Sequence, residues 1–181
     1  MATTQAPETV TMDRLTNALQ LDYAEGVAGY VMVMVRLLTG WWFLHAGIGK
    51  LMAPEPFNAA GWLVQGTQGA PIHGFLAWAG QTPWMLELTN FMVPVGETLI
   101  GLGLIVGAMT RLAAFFGGVL MVFFYLGNAA WANGYVNGDL LGLLMFVVVG
   151  TFAAGRILGL DAIIERTEFV KQRPKLRYLL G

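Results

Sequence analysis

The sequence predicts an all-α membrane protein, a four-transmembrane-helix bundle with short outer interfacial helices and an amphipathic C-terminal helix. Its 181 residues are 56% apolar and only 12% charged, with mean hydropathy +0.63. Too few charged side chains are present to cover a soluble globule of this length, so lipid must be part of the solvent. The apolar residues also gather into runs close to the roughly 20 residues that a spanning helix needs. The length suits one domain, and nothing suggests a second.

Residues 1–26 carry Glu8, Asp13, Arg14, Asp22 and Glu25 among polar neighbours. This is the opposite of a basic n-region followed at once by an apolar h-region, so no cleavable signal is expected and the segment reads as a cytoplasmic N-terminal arm. The first span covers about 27–48, with Arg36 in its interior and Gly47-Ile-Gly-Lys50 at its far end. Pro54, Pro56, Pro71 and Pro83 then cut an outer insertion, 51–84, into pieces too short to span, because proline blocks continuation of a helix. These pieces read as short helices at the interface.

The second span, about 85–108, contains Pro94 and Glu97, and the third, about 112–130, follows after Met109, Thr110 and Arg111. So tight a connection makes the two helices antiparallel neighbours. The polar patch Asn128, Asn133, Asn137 and Asp139 leads to a fourth run, about 140–154, with Asp139 as its expected cap. Residues 27–156 therefore form the predicted transmembrane domain. Beyond it, 157–181 reads as a cytoplasmic segment: Leu160, Ile163, Ile164 and Val170 give one amphipathic helix from Gly159 to Val170, and Arg173, Lys175 and Arg177 follow as a basic tail along the membrane surface.

With four spans, both termini and the Thr110-Arg111 turn share one side. That side collects Arg14, Arg111, Arg156, Arg166, Lys171, Arg173, Lys175 and Arg177, eight of the ten basic residues. The positive-inside rule predicts a multi-pass protein of the cell membrane with both termini cytoplasmic. All six tryptophans then fall in the outer half, as interfacial anchors.

Arg36 and Glu97 are the ionisable groups expected deep in lipid. Counted from the cytoplasmic ends of their spans both lie roughly 15 Å in, and a lone charge at that depth costs several kcal/mol. The least costly arrangement is a mutual salt bridge. Such a pair serves either as a polar site for a quinone head group or a proton relay, or as a structural ion pair that fixes helix packing. Arg36, Gly40, Phe43, Gly47 and Lys50 recur at helical spacing, so one face of the first span looks into the bundle.

His45 and His73 are the two histidines. They make an awkward pair for haem, and His45 is expected at the polar outer mouth, where hydrogen bonding is its ordinary use and ligand contact or proton movement the alternative. Trp41 and Trp42 serve either as anchors or as flanks for an aromatic ring. With no cysteine the chain can form no disulfide, thiolate ligand or cysteine-held iron–sulfur cluster, the histidine pair speaks against haem, and no metal site is expected. The formal charge of −1 gives no reason to expect nucleic acid.

The order Arg36-Leu-Leu-Thr-Gly40-Trp-Trp-Phe43, Gly47-Ile-Gly-Lys50-Leu51, Gly96-Glu97 with Gly101, Leu104 and Gly107, then Thr110-Arg111 and a Gly159-Leu160-Asp161 ending resembles the DoxX/DoxD family of small membrane proteins. The resemblance implies four helices, and its DoxD branch implies the small subunit of a thiosulfate:quinone oxidoreductase acting beside a second subunit. Arg36, Lys50, Glu97 and Arg111 are the positions that would carry what the family shares. The expectation is thus a membrane subunit of a quinone-linked oxidoreductase, with a non-catalytic scaffold or accessory subunit of a larger membrane complex as the alternative. The candidate catalytic residues are Arg36, Glu97, His45 and Lys50, and the candidate quinone-binding residues are Arg36, Trp41 and Glu97. The expected partners are membrane lipid and either a second protein subunit or further copies of the chain.

Overall fold

The computed structural model describes residues 21–129, 131 and 134–181, with side chains described from Gly26 onward. Most of the N-terminal arm, 1–26, and Asn133 of the polar patch lie outside the described residues. Seven α-helices occur among them: α1 (Leu21–Leu51), α2 (His73–Gln81), α3 (Pro83–Val106), α4 (Thr110–Asn128), α5 (Gly138–Thr151), α6 (Asp161–Ile164) and α7 (Glu168–Lys171). No strand occurs among the described residues.

Three of these helices are long and apolar enough to cross a membrane: α1 over Gly26–Leu51, α3 and α4. The fourth apolar helix, α5, has 14 residues and so extends about 21 Å. Its cap is Asn137, whose side chain accepts from Leu140 N at 3.0 Å. Asp139, the expected cap, sits in the first turn and accepts from Asn128 Nδ2 at 2.8 Å instead. An extended backbone at Asn137 is what puts that side chain in capping position.

The four apolar helices close a ring in which α1 packs on α3, α3 on α4, α4 on α5 and α5 on α1. Phe43 and Phe146 meet edge to face in its centre, with ring centroids 4.7 Å apart, and Leu104, Met121 and Val149 are buried around them. The closest approach is between α1 and α3. A Cβ on Gly101 would collide with the backbone of Leu44 and with Gly40 O, and one on Gly47 with Thr98 and Pro94 O. These contacts make α1 and α3 antiparallel and set their register. Gly101→Val is therefore expected to force the helices apart at a cost of about 3 kcal/mol, measurable as a lower midpoint of unfolding in denaturing detergent; an unchanged midpoint would contradict the register.

The segment between α1 and α3 forms its own small core. Ala59, Leu63 and Leu76 are buried with Phe57, Trp62, Ile72 and Leu86 around them. It is pinned to the bundle by Ala59 N donating to Asn90 Oδ1 at 2.8 Å and by Trp62 Nε1 donating to Asn128 Oδ1 at 2.9 Å. A π-helical turn at Trp62–Gly66 and α2 provide its regular structure, and Pro83 starts α3 in the first-turn position where its missing N–H costs nothing.

At the opposite end of the bundle, Gly107 adopts φ 68° and closes α3, a left-handed conformation suited to glycine. The chain after α5 returns to this point, where Leu160 N donates to Val106 O at 3.1 Å and Asp161 N to Gly107 O at 2.8 Å. The expected single amphipathic helix from Gly159 to Val170 is not formed. Two one-turn helices, α6 and α7, take its place, because Thr167 is extended and its hydroxyl donates to Ile164 O at 2.7 Å, a local bond that competes with helix continuation. Nor does the tail simply run along a surface. Val170 and Leu180 are buried, Leu112 N donates to Leu179 O at 3.2 Å and Gly181 N to Asp161 Oδ2 at 2.9 Å, so the tail packs onto the start of α4.

Candidate functional site: a cavity floored by Lys50 and Glu97

The register of α1 against α3 decides which charges meet. Gly40 faces Leu104 and Ile105, and Gly47 faces Pro94 and Thr98. Continuing in both directions puts Lys50 beside Glu97 and Arg36 beside Gly107. Accordingly Lys50 Nζ donates to Glu97 at 2.5 Å, with the Glu97 side chain only 5% exposed. The expected Arg36–Glu97 salt bridge is absent. Fourteen residues, or about 21 Å of helix, separate Arg36 from the cation that does pair with Glu97.

Lys50 and Glu97 line a cavity of about 400 Å³ at the end of the bundle that carries the small outer core. Trp42, Phe43, Phe57, Trp62 and Phe124 give it aromatic walls, and Asn58, Asn128 and Asp139 add polar groups. Lys50 Nζ also lies 5.8 Å from the centre of the Phe57 ring and 3.4 Å from Ala46 O. The ammonium is thus held by one carboxylate, one carbonyl and one ring face, and it can still direct hydrogen-bonding capacity toward a ligand acceptor. The carboxylate beside it supplies a second proton-exchanging group. Flat aromatic walls with one charged donor suit a planar ring bearing a carbonyl oxygen.

Arg36 belongs to a different structure. It is 1% exposed, and its Nη1 and Nη2 donate to Ala154 O at 2.9 Å and Leu158 O at 3.0 Å. Asp161, fully buried, accepts from Met109 N at 2.8 Å, Thr110 N at 3.0 Å and Gly181 N at 2.9 Å. These two side chains tie α1, the first turn of α4, the segment after α5 and the tail into one knot. Arg36 does not line the Lys50–Glu97 cavity.

Nor are the other predicted site residues all brought to one place. Trp41 is 60% exposed and lies against His45, ring centroids 6.0 Å apart, on the outward side of α1. Neither lines the cavity. His73 is on α2, its Nδ1 2.9 Å from the Thr67 hydroxyl. Trp42 takes the place expected for Trp41. Trp42, Ala46 and Lys50 follow one another at four-residue spacing, and that spacing, read from Lys50 backward, is the signal that selects Trp42. Asp139 and Asn128 had no comparable signal, since each looks like an ordinary turn or cap residue until α4 and α5 are brought together.

Fold and cavity together define a small all-α membrane protein with a polar, aromatic-walled site among its helices. Residues 31–127, more than half of the chain, match the DoxX family model, and the chain belongs to the DoxX family. No curated protein matches the chain significantly. No solved structure does so either.

Proposed function

We propose that the chain is the membrane subunit of a quinone-linked oxidoreductase and that the quinone head group enters the Lys50–Glu97 cavity. The observation that carries this reading is the ion pair of a half-buried Lys50 with a buried Glu97 at the floor of an aromatic-walled space of about 400 Å³ among the apolar helices. A quinone accepts two electrons and two protons to become a quinol. Lys50 would hold the first carbonyl oxygen by a charge-assisted hydrogen bond, Trp42 and Trp62 would flank the ring, and Glu97 would keep the ammonium in place and exchange a proton with it. Since the sequence contains no cysteine, a partner subunit would oxidise the reductant, of the thiosulfate class that the family resemblance implies, and pass on its electrons. The end of the bundle with Arg111, Arg156 and the basic tail would face the cytoplasm.

The test is the quinone content of protein purified in mild detergent, extracted with organic solvent and read by mass spectrometry. Near-stoichiometric quinone is expected in the natural protein, falling at least tenfold in Lys50→Met, a loss of about 1.4 kcal/mol or more in binding. Glu97→Gln is expected to weaken retention less and to slow quinol formation. Quinone that persists in Lys50→Met would overturn the site. A stable partner that co-purifies without quinone would transfer the chain to the accessory reading.

A further inference from the structure

A second cavity lies on the outside of the bundle, in the valley between α4 and α5, with a volume of about 440 Å³. Its floor is Ala114, Gly118, Phe146 and Gly150, and its rims are apolar except at one end, where Arg111 closes it. From Arg111 to Val122 along α4 it extends about 16 Å, a fair part of one leaflet of the hydrocarbon core. Arg111 Nε donates to Gly150 O at 3.3 Å, and this bond anchors the guanidinium across the mouth of the valley. Its two terminal nitrogens have no partner among the described residues.

We propose that this valley is a binding site for one anionic phospholipid, with an acyl chain along the floor and the phosphate on the Arg111 guanidinium. The charge arrangement favours this occupant over a helix from a second copy of the chain. An apolar helix seated here would cover the guanidinium without supplying an anion, and a desolvated unpaired charge is costly. A phosphodiester supplies that anion with two oxygens that the arginine fork matches, and Arg111 stands in the first turn of α4, at one end of its apolar length. The interaction is independent of the Lys50–Glu97 cavity, which lies among the helices at the other end of the bundle.

Two variants separate the contributions. Arg111→Gln removes the charge and leaves the valley open. Gly118→Leu leaves the charge and fills the valley, and a Cβ at position 118 meets only Leu143 and Phe146 at ordinary contact distances, 3.6 and 3.9 Å, so the helix accepts it. The experiment is native mass spectrometry of the full-length, delipidated protein titrated with phosphatidylglycerol or phosphatidylcholine of equal chain length. The natural protein is expected to hold one phosphatidylglycerol at least fivefold more tightly than phosphatidylcholine. Arg111→Gln should abolish that preference, and Gly118→Leu should lower retention of phosphatidylglycerol at least fivefold while circular dichroism remains unchanged. Equal binding of both lipids by the natural protein, or undiminished phosphatidylglycerol binding in Gly118→Leu, would overturn the proposal. So would a dimer of the natural protein that Gly118→Leu dissociates, since the valley would then belong to a second copy.

Discussion

Asp161→Ala is expected to destabilise the protein by about 3–5 kcal/mol, the largest loss from any single polar truncation in the bundle. The carboxylate is fully buried and receives three backbone N–H groups, from Met109, Thr110 and Gly181. Two of them belong to the free start of α4, where helix geometry leaves amide donors without intrahelical partners. An acidic side chain there also complements the positive end of the helix dipole. Alanine would strand all three donors in a site with no room for solvent to replace the carboxylate. Asp161→Asn keeps the shape but offers only one accepting oxygen and no charge, so an intermediate loss is expected. The measurement is the midpoint of denaturing-detergent unfolding followed by circular dichroism, and equal midpoints for alanine and the natural residue would rule out the capping role.

Arg36→Met is expected to cost about 3 kcal/mol in the same assay, yet to leave quinone content unchanged. Methionine retains much of the apolar stem, so the loss isolates the two hydrogen bonds to Ala154 O and Leu158 O, the stranding of those carbonyls and the loss of a positive charge near Asp161. This outcome separates Arg36 from Lys50. Both are basic, both lie on the inward stripe of α1, and a counting of depth alone assigns Arg36 to the ligand site. Loss of quinone from a folded Arg36→Met protein would reinstate it there.

The bundle was legible because hydropathy over long runs is a strong signal: Arg36 to Lys50 reads as one inward face, and the three long apolar helices begin and end within a few residues of the expected limits except at the start of α1. Register was not legible. Distance from the span ends pairs Arg36 with Glu97, whereas the actual match is set by glycine contacts at Gly40, Gly47 and Gly101, whose facing residues a single sequence does not reveal. The result is a shift of about four helical turns in the partner of Glu97. The tail departs from its sequence pattern for a related reason. Leu160, Ile163, Ile164 and Val170 have helical spacing, but only Val170 is buried while Leu160 and Ile163 stay exposed, and Asp161 among them is held by tertiary amides rather than exposed on a polar face. Periodicity records the spacing of apolar residues, not which of them the fold buries.

The knot around Arg36 also bears on biosynthesis. Its carbonyl partners lie 118 and 122 residues further along the chain. At about 5–20 residues per second, on the order of ten seconds pass between emergence of α1 from the ribosome and emergence of the groups that satisfy its guanidinium. During that interval an arginine in a helix centre would carry an insertion penalty of roughly 3 kcal/mol. In the finished protein Arg36 stands level with Gly107, where α3 ends. A long side chain would extend its charge toward the nearer headgroups in that interval, and its own hydrogen-bond acceptors arrive only with the carboxy-terminal segment.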